Sequence, residues 1–537
     1  MTATLAGPVP RTARSRQLAG TGALFRLALR RDRVMLPLWV LFVGGTTASA
    51  AGTLGKLYAT PAERAGVVRS MAANSSLRSL YGPIFDDSLG ALVAWRYLAF
   101  MAAFAGVMSL LIVVRHTREE EETGRQEMLS AAVVGRRAPL TAALLLAAAA
   151  NAAIALLTTA GLAAQGAAGA LALGLGIGAT GMLFASAAAL VAQLTETARL
   201  ARGLTAAVLG LAWVLKQAGD AAAVDGSHPL TWVSPIGWAE NLRAFAAERW
   251  WVLLLFAAAV TAQTTLAYAL AGRRDIGMSF LPARPGPATG RLGTAGALAW
   301  RLQRGSLLGW GVAFLLAGLM FGAMTQGAAD LVGDSARTRE MLERLGGQQG
   351  LTDAFLAAMT GMLGMVAALY VVQSVLRLHG EETSGRAEPV LAGAVGRVRW
   401  AAGHLAVAFG GAALVMLLGG AGLAVGYGHR AGAVLGAALV QVVGVWVIGA
   451  VAVLLYGVSP RLAPLGWGYA GVCLGVGWLG AAFDLPSWGL GVSPFAHLPK
   501  LPGGEVGWGA VGVLVAVSVG LVTLGLTALR HRDMEST

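Results

Sequence analysis

Long apolar runs separated by short polar segments make up most of the chain. Each run is close to the length of about 20 helical residues that crosses ~30 Å of hydrocarbon. A helix satisfies its own backbone hydrogen bonds in lipid, so these runs predict an all-α polytopic membrane protein with about twelve transmembrane helices. The predicted spans lie near residues 34–51, 93–114, 139–163, 168–192, 203–219, 251–271, 307–325, 357–376, 402–426, 431–456, 464–483 and 508–529.

A charged segment occurs at the same place in each half of the chain, between the second and third apolar runs. The first copy reads Glu-Glu-Glu-Glu-Thr-Gly-Arg-Gln-Glu from residue 119, and the second reads Glu-Glu-Thr-Ser-Gly-Arg-Ala-Glu from residue 381. From Gly124 and Gly385 onward both copies share Gly-Arg-x-Glu, six further residues and Val-Gly-Arg, at an offset of 261 residues (385 minus 124). Such a matched segment in an apolar chain is a candidate docking site for a partner in water.

The recurrence predicts two related halves. We expect parallel six-helix repeats at residues 1–280 and 301–537, joined by a linker at 281–300 that begins with Pro-rich and Gly-rich sequence. A long polar loop is predicted after the first span of each half, at residues 53–92 and 326–356.

Composition and charge agree with a membrane protein. Charged residues make up 12% of the chain and hydrophobic residues 56%, and the mean hydropathy is +0.66. The net charge is +13, but the arginines flank apolar runs, which indicates membrane topology and not nucleic-acid binding. With both termini in the cytoplasm, roughly 27 of the basic residues fall inside. This orientation also places both charged segments in the cytoplasm of a plasma-membrane protein.

No catalytic or metal site is predicted. The seven histidines are scattered, and Cys473 is the single cysteine. Asp220 and Asp225 near His228 are interpreted as a solvated outer loop. The chain also lacks the Gly-x-x-x-x-Gly-Lys-[Ser/Thr] loop that cradles phosphates, so we expect ATP and Mg²⁺ to bind a partner subunit and no cofactor to bind this chain.

The source of energy leaves alternatives open. The predicted spans hold almost no ionisable residues, whereas an ion-coupled carrier needs an acidic or histidine relay in the membrane. The pattern therefore favours a permease driven by a separate ATPase. The alternatives are an ion-coupled secondary transporter and a non-transporting membrane assembly protein.

The charged segments have features of docking helices. Gly124 and Gly385 are expected to interrupt a helix, and residues 125–134 and 386–395 are predicted to form helices of about three turns. Such helices could insert into a groove of a partner. Two segments suit two copies of the partner, or a single partner with two-fold symmetry.

The layout resembles the ABC-2-type exporter permeases. It combines a basic amphipathic helix near the N-terminus, six spans, a Glu-Glu-Thr-Gly-Arg-x-Glu segment between the second and third spans, and a polar outer loop before the sixth. The fused form, with Arg-His-Thr-Arg-Glu-Glu-Glu-Glu-Thr-Gly-Arg-Gln-Glu in the first half, resembles the actinobacterial polyketide-antibiotic exporter permeases of the tetronasin type.

This resemblance implies a connecting helix at residues 22–33 and coupling segments at 115–138 and 377–399, which seat in a separately encoded ATP-binding subunit. It implies export of hydrophobic antibiotics or other amphiphiles across the bilayer, and re-entrant helices that form an outer gate at 220–250 and 484–507. The implied coupling residues are Glu121, Glu122, Gly124, Arg125, Glu127, Glu381, Glu382, Gly385, Arg386 and Glu388, and the gate candidates are Ser234, Pro235, Ser493 and Pro494. One departure is Pro389, which stands where the first copy has Met128.

Overall fold

The computed structural model describes residues 17–130, 134–275, 277–280, 290, 292–330, 347–479, 487–504 and 507–534. Helices make up most of this part of the chain, and none of it lies in a β-strand. The predicted all-α fold is therefore confirmed. The chain divides into two compact units, Met1–Pro285 and Gly286–Thr537. Residues 281–289 and 291 of the predicted linker, and 331–346 of the second predicted loop, lie outside the described residues.

Eleven helices in the described ranges are long and apolar enough to cross a membrane. Six lie in the first unit and five in the second. The remaining predicted span, at 464–483, corresponds to the helix Leu465–Leu479, which has 15 residues. Residues 480–486 lie outside the described part of the chain. The multi-pass architecture is therefore confirmed.

The long helices of the first unit coincide with the apolar runs. The first span consists of Met35–Val40, a π-helical turn at Leu41–Gly45, and Thr46–Leu57. The other long helices are Leu89–Arg115, Ala138–Leu162, Ala167–Leu194, Ala198–Ala222 and Val252–Ala271. The shorter helices are Thr21–Arg31, Pro61–Ala73, Ser75–Tyr81, Arg118–Glu122, Arg125–Ser130, Pro229–Val233 and Pro235–Asn241, with a 3₁₀ turn at Ala163–Gln165.

The prediction of a polar loop at residues 53–92 is wrong, because most of this stretch is helical. Thr60 accepts a hydrogen bond from the backbone N–H of Glu63, and the Glu63 side chain accepts one from the backbone N–H of Thr60. This capping box, with Pro61 in the first turn, starts the helix Pro61–Ala73. Asn74 caps the next helix by accepting a hydrogen bond from the backbone N–H of Leu77. Polar residues that predict a loop therefore serve as helix caps.

The second unit also combines long and short helices. The long ones are Ala295–Asp330, Gly347–Val375, Arg397–Tyr427, Ala431–Val458, Leu465–Leu479 and Trp508–His531. The short ones are Arg377–Thr383, Glu388–Leu391 and Ser487–Leu490, with 3₁₀ turns at Pro460–Leu462 and Pro494–His497. Alanine, glycine and valine dominate the buried positions of this unit, and small side chains let helices approach closely.

Candidate functional site

The first charged segment (residues 115–138) contains two short helices that are separated at Gly124. The helix Arg118–Glu122 ends before Gly124, whose φ of +72° lies in the left-handed region that favours glycine. The next helix, Arg125–Ser130, has six residues. Residues 131–133 lie outside the described part of the chain, and Val134 is not helical. The predicted break is therefore confirmed, whereas the helix does not reach its predicted end.

The second charged segment (residues 377–399) has the same plan with a shorter second helix. Arg377–Thr383 is followed by Gly385, at a φ of +69°, and by the four-residue helix Glu388–Leu391. The prediction of a three-turn helix at 386–395 is wrong. Pro389 is accommodated in the first turn, and Gly393 follows two residues after the helix end, where its conformational freedom disfavours extension.

Ion pairs inside the first unit hold the glutamates of the first charged segment. Glu120 lies 2.6 Å from Arg31 and 3.4 Å from Arg125. Glu121 pairs with Arg118 and, at 2.5 Å, with Arg274. The carboxylate of Glu121 is buried and faces two guanidinium groups, so it holds the segment against its own unit.

The neighbouring glutamates also make contacts at the surface of the first unit. Glu119 pairs with Arg202. Glu122, which is exposed, accepts a hydrogen bond of 3.0 Å from the backbone N–H of Ala198. That N–H belongs to the first turn of Ala198–Ala222 and has no partner within its own helix, so Glu122 satisfies a donor that the helix leaves open.

Two glutamates of the second charged segment, Glu381 and Glu382, are buried in a similar network within the second unit. Glu381 lies 2.7 Å from Arg377 and 3.2 Å from Arg386. Glu382 accepts a hydrogen bond of 2.6 Å from the Tyr456 hydroxyl and pairs with Arg532 at 2.6 Å.

Several of these contacts occur in both units. Glu120–Arg125 corresponds to Glu381–Arg386, and Glu121–Arg274 corresponds to Glu382–Arg532. In each unit the second partner follows the last long helix. The two charged segments are therefore attached to their own units through the same kinds of residue pair.

Other residues of the segments face outward. The side chains of Arg125 and Arg386 are 52% and 62% exposed. Glu127 and Glu388 are exposed as well, and Met128 is 71% exposed. The charged residues among the predicted coupling residues thus form two sets. The side chains of Glu121, Glu381 and Glu382 are buried within their units, whereas Glu122, Arg125, Glu127, Arg386 and Glu388 lie on the surface.

The gate candidates begin short helices in the two loops that are predicted to lie outside. Ser234 is fully buried, donates to the backbone carbonyl of Ala212 at 2.7 Å, and caps the helix Pro235–Asn241. Ser493 is also buried and precedes the 3₁₀ turn Pro494–His497. In both places proline occupies the first turn, where its missing N–H leaves no bond unmade.

Lys216, Asp220 and Glu240 form a buried triad that sequence analysis missed. The Lys216 ammonium lies 3.1 Å from Asp220 and 3.0 Å from Glu240, and its side chain and that of Asp220 are fully buried. Lys216 also donates to the backbone carbonyls of Ser79 and Leu80. The interpretation of Asp220 as a solvated loop residue is wrong, because Asp220 lies in the helix Ala198–Ala222. Its spacing of four residues from Lys216 is the signal that could have indicated the pair.

Comparison with known proteins places these features in a family. A family profile described as "Multidrug efflux system permease Rv1217c, C-terminal domain" matches residues 292–530. The chain is also 42% identical, over 527 residues, to the "Multidrug efflux system permease protein Rv1217c" of Mycobacterium tuberculosis (strain ATCC 25618 / H37Rv). The match covers 96% of this chain and 95% of that relative. The chain belongs to this multidrug efflux permease family.

Family membership confirms the prediction of an exporter permease subunit in a membrane. It supports a transport subunit that is not itself an enzyme and that works with an ATP-binding partner. The tetronasin-type subfamily, the number of partner copies and the orientation of the termini stay predictions.

Glu240 gives the permease a testable dependence on pH. Burial, together with the neighbouring Asp220 carboxylate, holds the pKa of Glu240 well above its usual range, against the opposing effect of Lys216. When the folded-state pKa lies above the unfolded value, the contribution of Glu240 to stability is complete at pH values below the unfolded pKa. This contribution is lost as the pH rises through the folded pKa. Glu240→Gln is therefore expected to remove part of the loss of thermal stability that occurs as the pH rises above the unfolded pKa of a glutamate.

Thermal unfolding of the purified permease from about pH 5, near the unfolded pKa, to about pH 9 measures this effect. Glu63→Gln is the control, since Glu63 is exposed and its pKa is lowered by hydrogen bonds with Thr60. An unchanged pH profile in the Glu240→Gln variant would contradict the raised pKa.

Proposed function

We propose that the chain is the membrane permease of an ATP-driven exporter that moves hydrophobic antibiotics or other amphiphilic compounds out of the cell. The relationship to a multidrug efflux permease over 96% of the chain carries this proposal. The resemblance of the first charged segment to tetronasin-type permeases supports the polyketide-antibiotic class of substrate. The proposed orientation has both termini and both charged segments in the cytoplasm, consistent with the excess of basic residues in those loops.

The energy is proposed to come from separately encoded ATP-binding subunits that hold ATP and Mg²⁺. The sequence has no phosphate-cradling Gly-Lys-[Ser/Thr] loop of its own. The charged segment occurs twice, once in each proposed six-helix repeat, which supports two partner copies per chain.

The exposed set is proposed to contact the partner. Each segment presents a cation and an anion at the surface: Arg125 and Glu127 in the first, and Arg386 and Glu388 in the second. The buried glutamates and the two left-handed glycines are proposed to shape the segments, because their side chains and backbones are fixed within the units. Ser234–Pro235 and Ser493–Pro494 are proposed to belong to the outer gate.

The docking proposal predicts the effect of two charge reversals. Glu127→Arg combined with Glu388→Arg is expected to weaken co-purification with the ATP-binding partner by roughly 10- to 100-fold in affinity, because each reversal places like charges at the contact. The measurement is pull-down of the tagged partner from membranes that contain the permease variant.

Asp87→Arg combined with Asp225→Arg is the matched control. Both residues are exposed acids in the proposed outer loops, and the change in net charge is the same. Full retention of the partner by the Glu127/Glu388 variant would remove these residues from the docking surface.

Reconstituted vesicles distinguish the proposal from its alternatives. ATP-dependent movement of a fluorescent hydrophobic drug, only when the ATP-binding subunit is present, is the expected result. Transport driven by a proton or sodium gradient without ATP would favour the ion-coupled carrier. The measurement with a proton or sodium gradient is necessary because the buried Lys216–Asp220–Glu240 triad places acidic groups inside the first unit. Absence of transport under all conditions would favour the assembly protein.

A further inference from the structure

One arginine follows the last long helix of each unit and binds that unit's charged segment. Arg274 comes three residues after the helix Val252–Ala271, and Arg532 directly follows Trp508–His531. Neither arginine belongs to the recurring sequence motif.

Both arginines form two-point ion pairs with a buried glutamate. In the first unit the Arg274 Nη2 lies 2.5 Å from Glu121 Oε1, and its Nη1 lies 2.8 Å from Glu121 Oε2. In the second unit the Arg532 Nη2 and Nη1 lie 2.6 Å and 2.7 Å from the Glu382 oxygens. All four side chains are at most 12% exposed. A bidentate pair between a planar guanidinium and a carboxylate fixes orientation as well as distance.

The other end of each charged segment holds the same residue. Arg136 donates to the backbone carbonyl of Arg274 in the first unit. Arg397 donates to the backbone carbonyl of Arg532, at 2.5 Å, in the second. The start and the end of each segment therefore converge on a single residue. We call this arrangement the clamp: Glu121, Arg136 and Arg274 in one unit, and Glu382, Arg397 and Arg532 in the other.

The helix that the clamp holds leads back to an outer loop. The helix Pro235–Asn241, with the gate candidate Ser234, comes shortly before Val252–Ala271. The turn Pro494–His497, with Ser493, comes shortly before Trp508–His531. A helix of 20 residues is about 30 Å long, so it connects one side of a bilayer to the other.

We propose that Arg274 and Arg532 are positioning residues that transmit movement of the charged segments to the last helix of each unit. The inference rests on the proposed function, in which an ATP-binding partner moves those segments. A buried two-point pair resists rotation and separation, so displacement of the segment displaces the helix end. That helix then carries the displacement to the outer loop. Without the clamp, the partner would still dock and hydrolyse ATP, but its movement would not reach the gate.

The test is the double variant Arg274→Gln, Arg532→Gln in complex with the ATP-binding partner in vesicles. Co-purification and ATP hydrolysis per complex are expected to stay close to wild type, because the exposed docking residues are unchanged. Drug molecules moved per ATP hydrolysed are expected to fall about tenfold. A role in folding alone would lower hydrolysis and transport together and leave their ratio unchanged, which would overturn the proposal.

Arg273→Gln combined with Arg530→Gln is the matched control, because both residues are exposed neighbours of the clamp arginines. This control should keep the wild-type ratio. If the glutamine variants fail to assemble, Arg274→Lys with Arg532→Lys decides the question. Lysine keeps the charge but cannot form the two-point pair. A wild-type ratio of drug molecules moved to ATP hydrolysed in that variant would therefore also overturn the proposal. A wild-type complex that transports nothing on ATP would instead overturn the proposed function.

Discussion

Replacing Lys216 with methionine is expected to lower the free energy of unfolding by about 3–5 kcal/mol. Methionine keeps the length and packing of the side chain but removes the ammonium group, which lies 3.1 Å from Asp220 and 3.0 Å from Glu240. Two buried carboxyl groups would then face each other without a cation between them. Thermal unfolding of the purified permease measures the loss, which corresponds to roughly 10 °C for a unit of this size.

The pH dependence of this variant adds a second check. Protonation of one carboxyl group relieves the repulsion, so the deficit should be largest at alkaline pH and smaller at acidic pH. Lys56→Met is the control, because Lys56 is exposed in the helix Thr46–Leu57. The triple change Lys216→Met, Asp220→Asn, Glu240→Gln should recover most of the stability, since it leaves no buried charge. Unfolding of Lys216→Met at the wild-type temperature at pH 8 would show that the triad does not stabilise the fold.

The membrane spans could be predicted because their length and apolarity are local properties of the sequence. The runs predicted at 139–163 and 431–456 are the helices Ala138–Leu162 and Ala431–Val458. Hydrophobic runs do not indicate what polar stretches between them do. The sequence Thr60-Pro61-Ala62-Glu63 carries a capping box, but the stretch around it lacks an apolar run and therefore predicts a loop.

The charged segments could be located from the sequence, but their environment could not. The Glu121 side chain is buried and Glu127 is exposed, although both are glutamates of one segment. Tertiary packing determines which of them faces water. The clamp was missed because Arg274 and Arg532 recur at an offset of 258 residues (532 minus 274), whereas the motif recurs at 261. The triad was missed because Glu240 is remote from Lys216 in sequence and tertiary packing brings the two together.

Glycine contacts between two helices of the second unit also depend on packing. A Cβ atom added at Gly318 would lie 2.0 Å from the carbonyl oxygen of Gly419, and one added at Gly422 would lie 2.2 Å from that of Leu315. Gly318 belongs to the helix Ala295–Asp330, and Gly422 belongs to Arg397–Tyr427. The obstructing atoms are backbone atoms, which cannot move aside as the end of a flexible side chain can. Small residues spaced in this way allow two helix backbones to touch in a bilayer.

Gly318→Ala and Gly422→Ala are therefore each expected to destabilise the permease by about 1–3 kcal/mol, through overpacking. Gly309→Ala and Gly410→Ala are the matched controls in the same two helices, because nothing lies within 4 Å of a Cβ at either position. At these two positions the free energy of unfolding is expected to rise by up to about 1 kcal/mol, because alanine has a higher helix propensity than glycine. Thermal unfolding of the four variants compares the two effects directly. Equal stability changes at Gly318 and Gly309 would show that the two helices do not meet at their backbones, because the difference in helix propensity is the same at both positions.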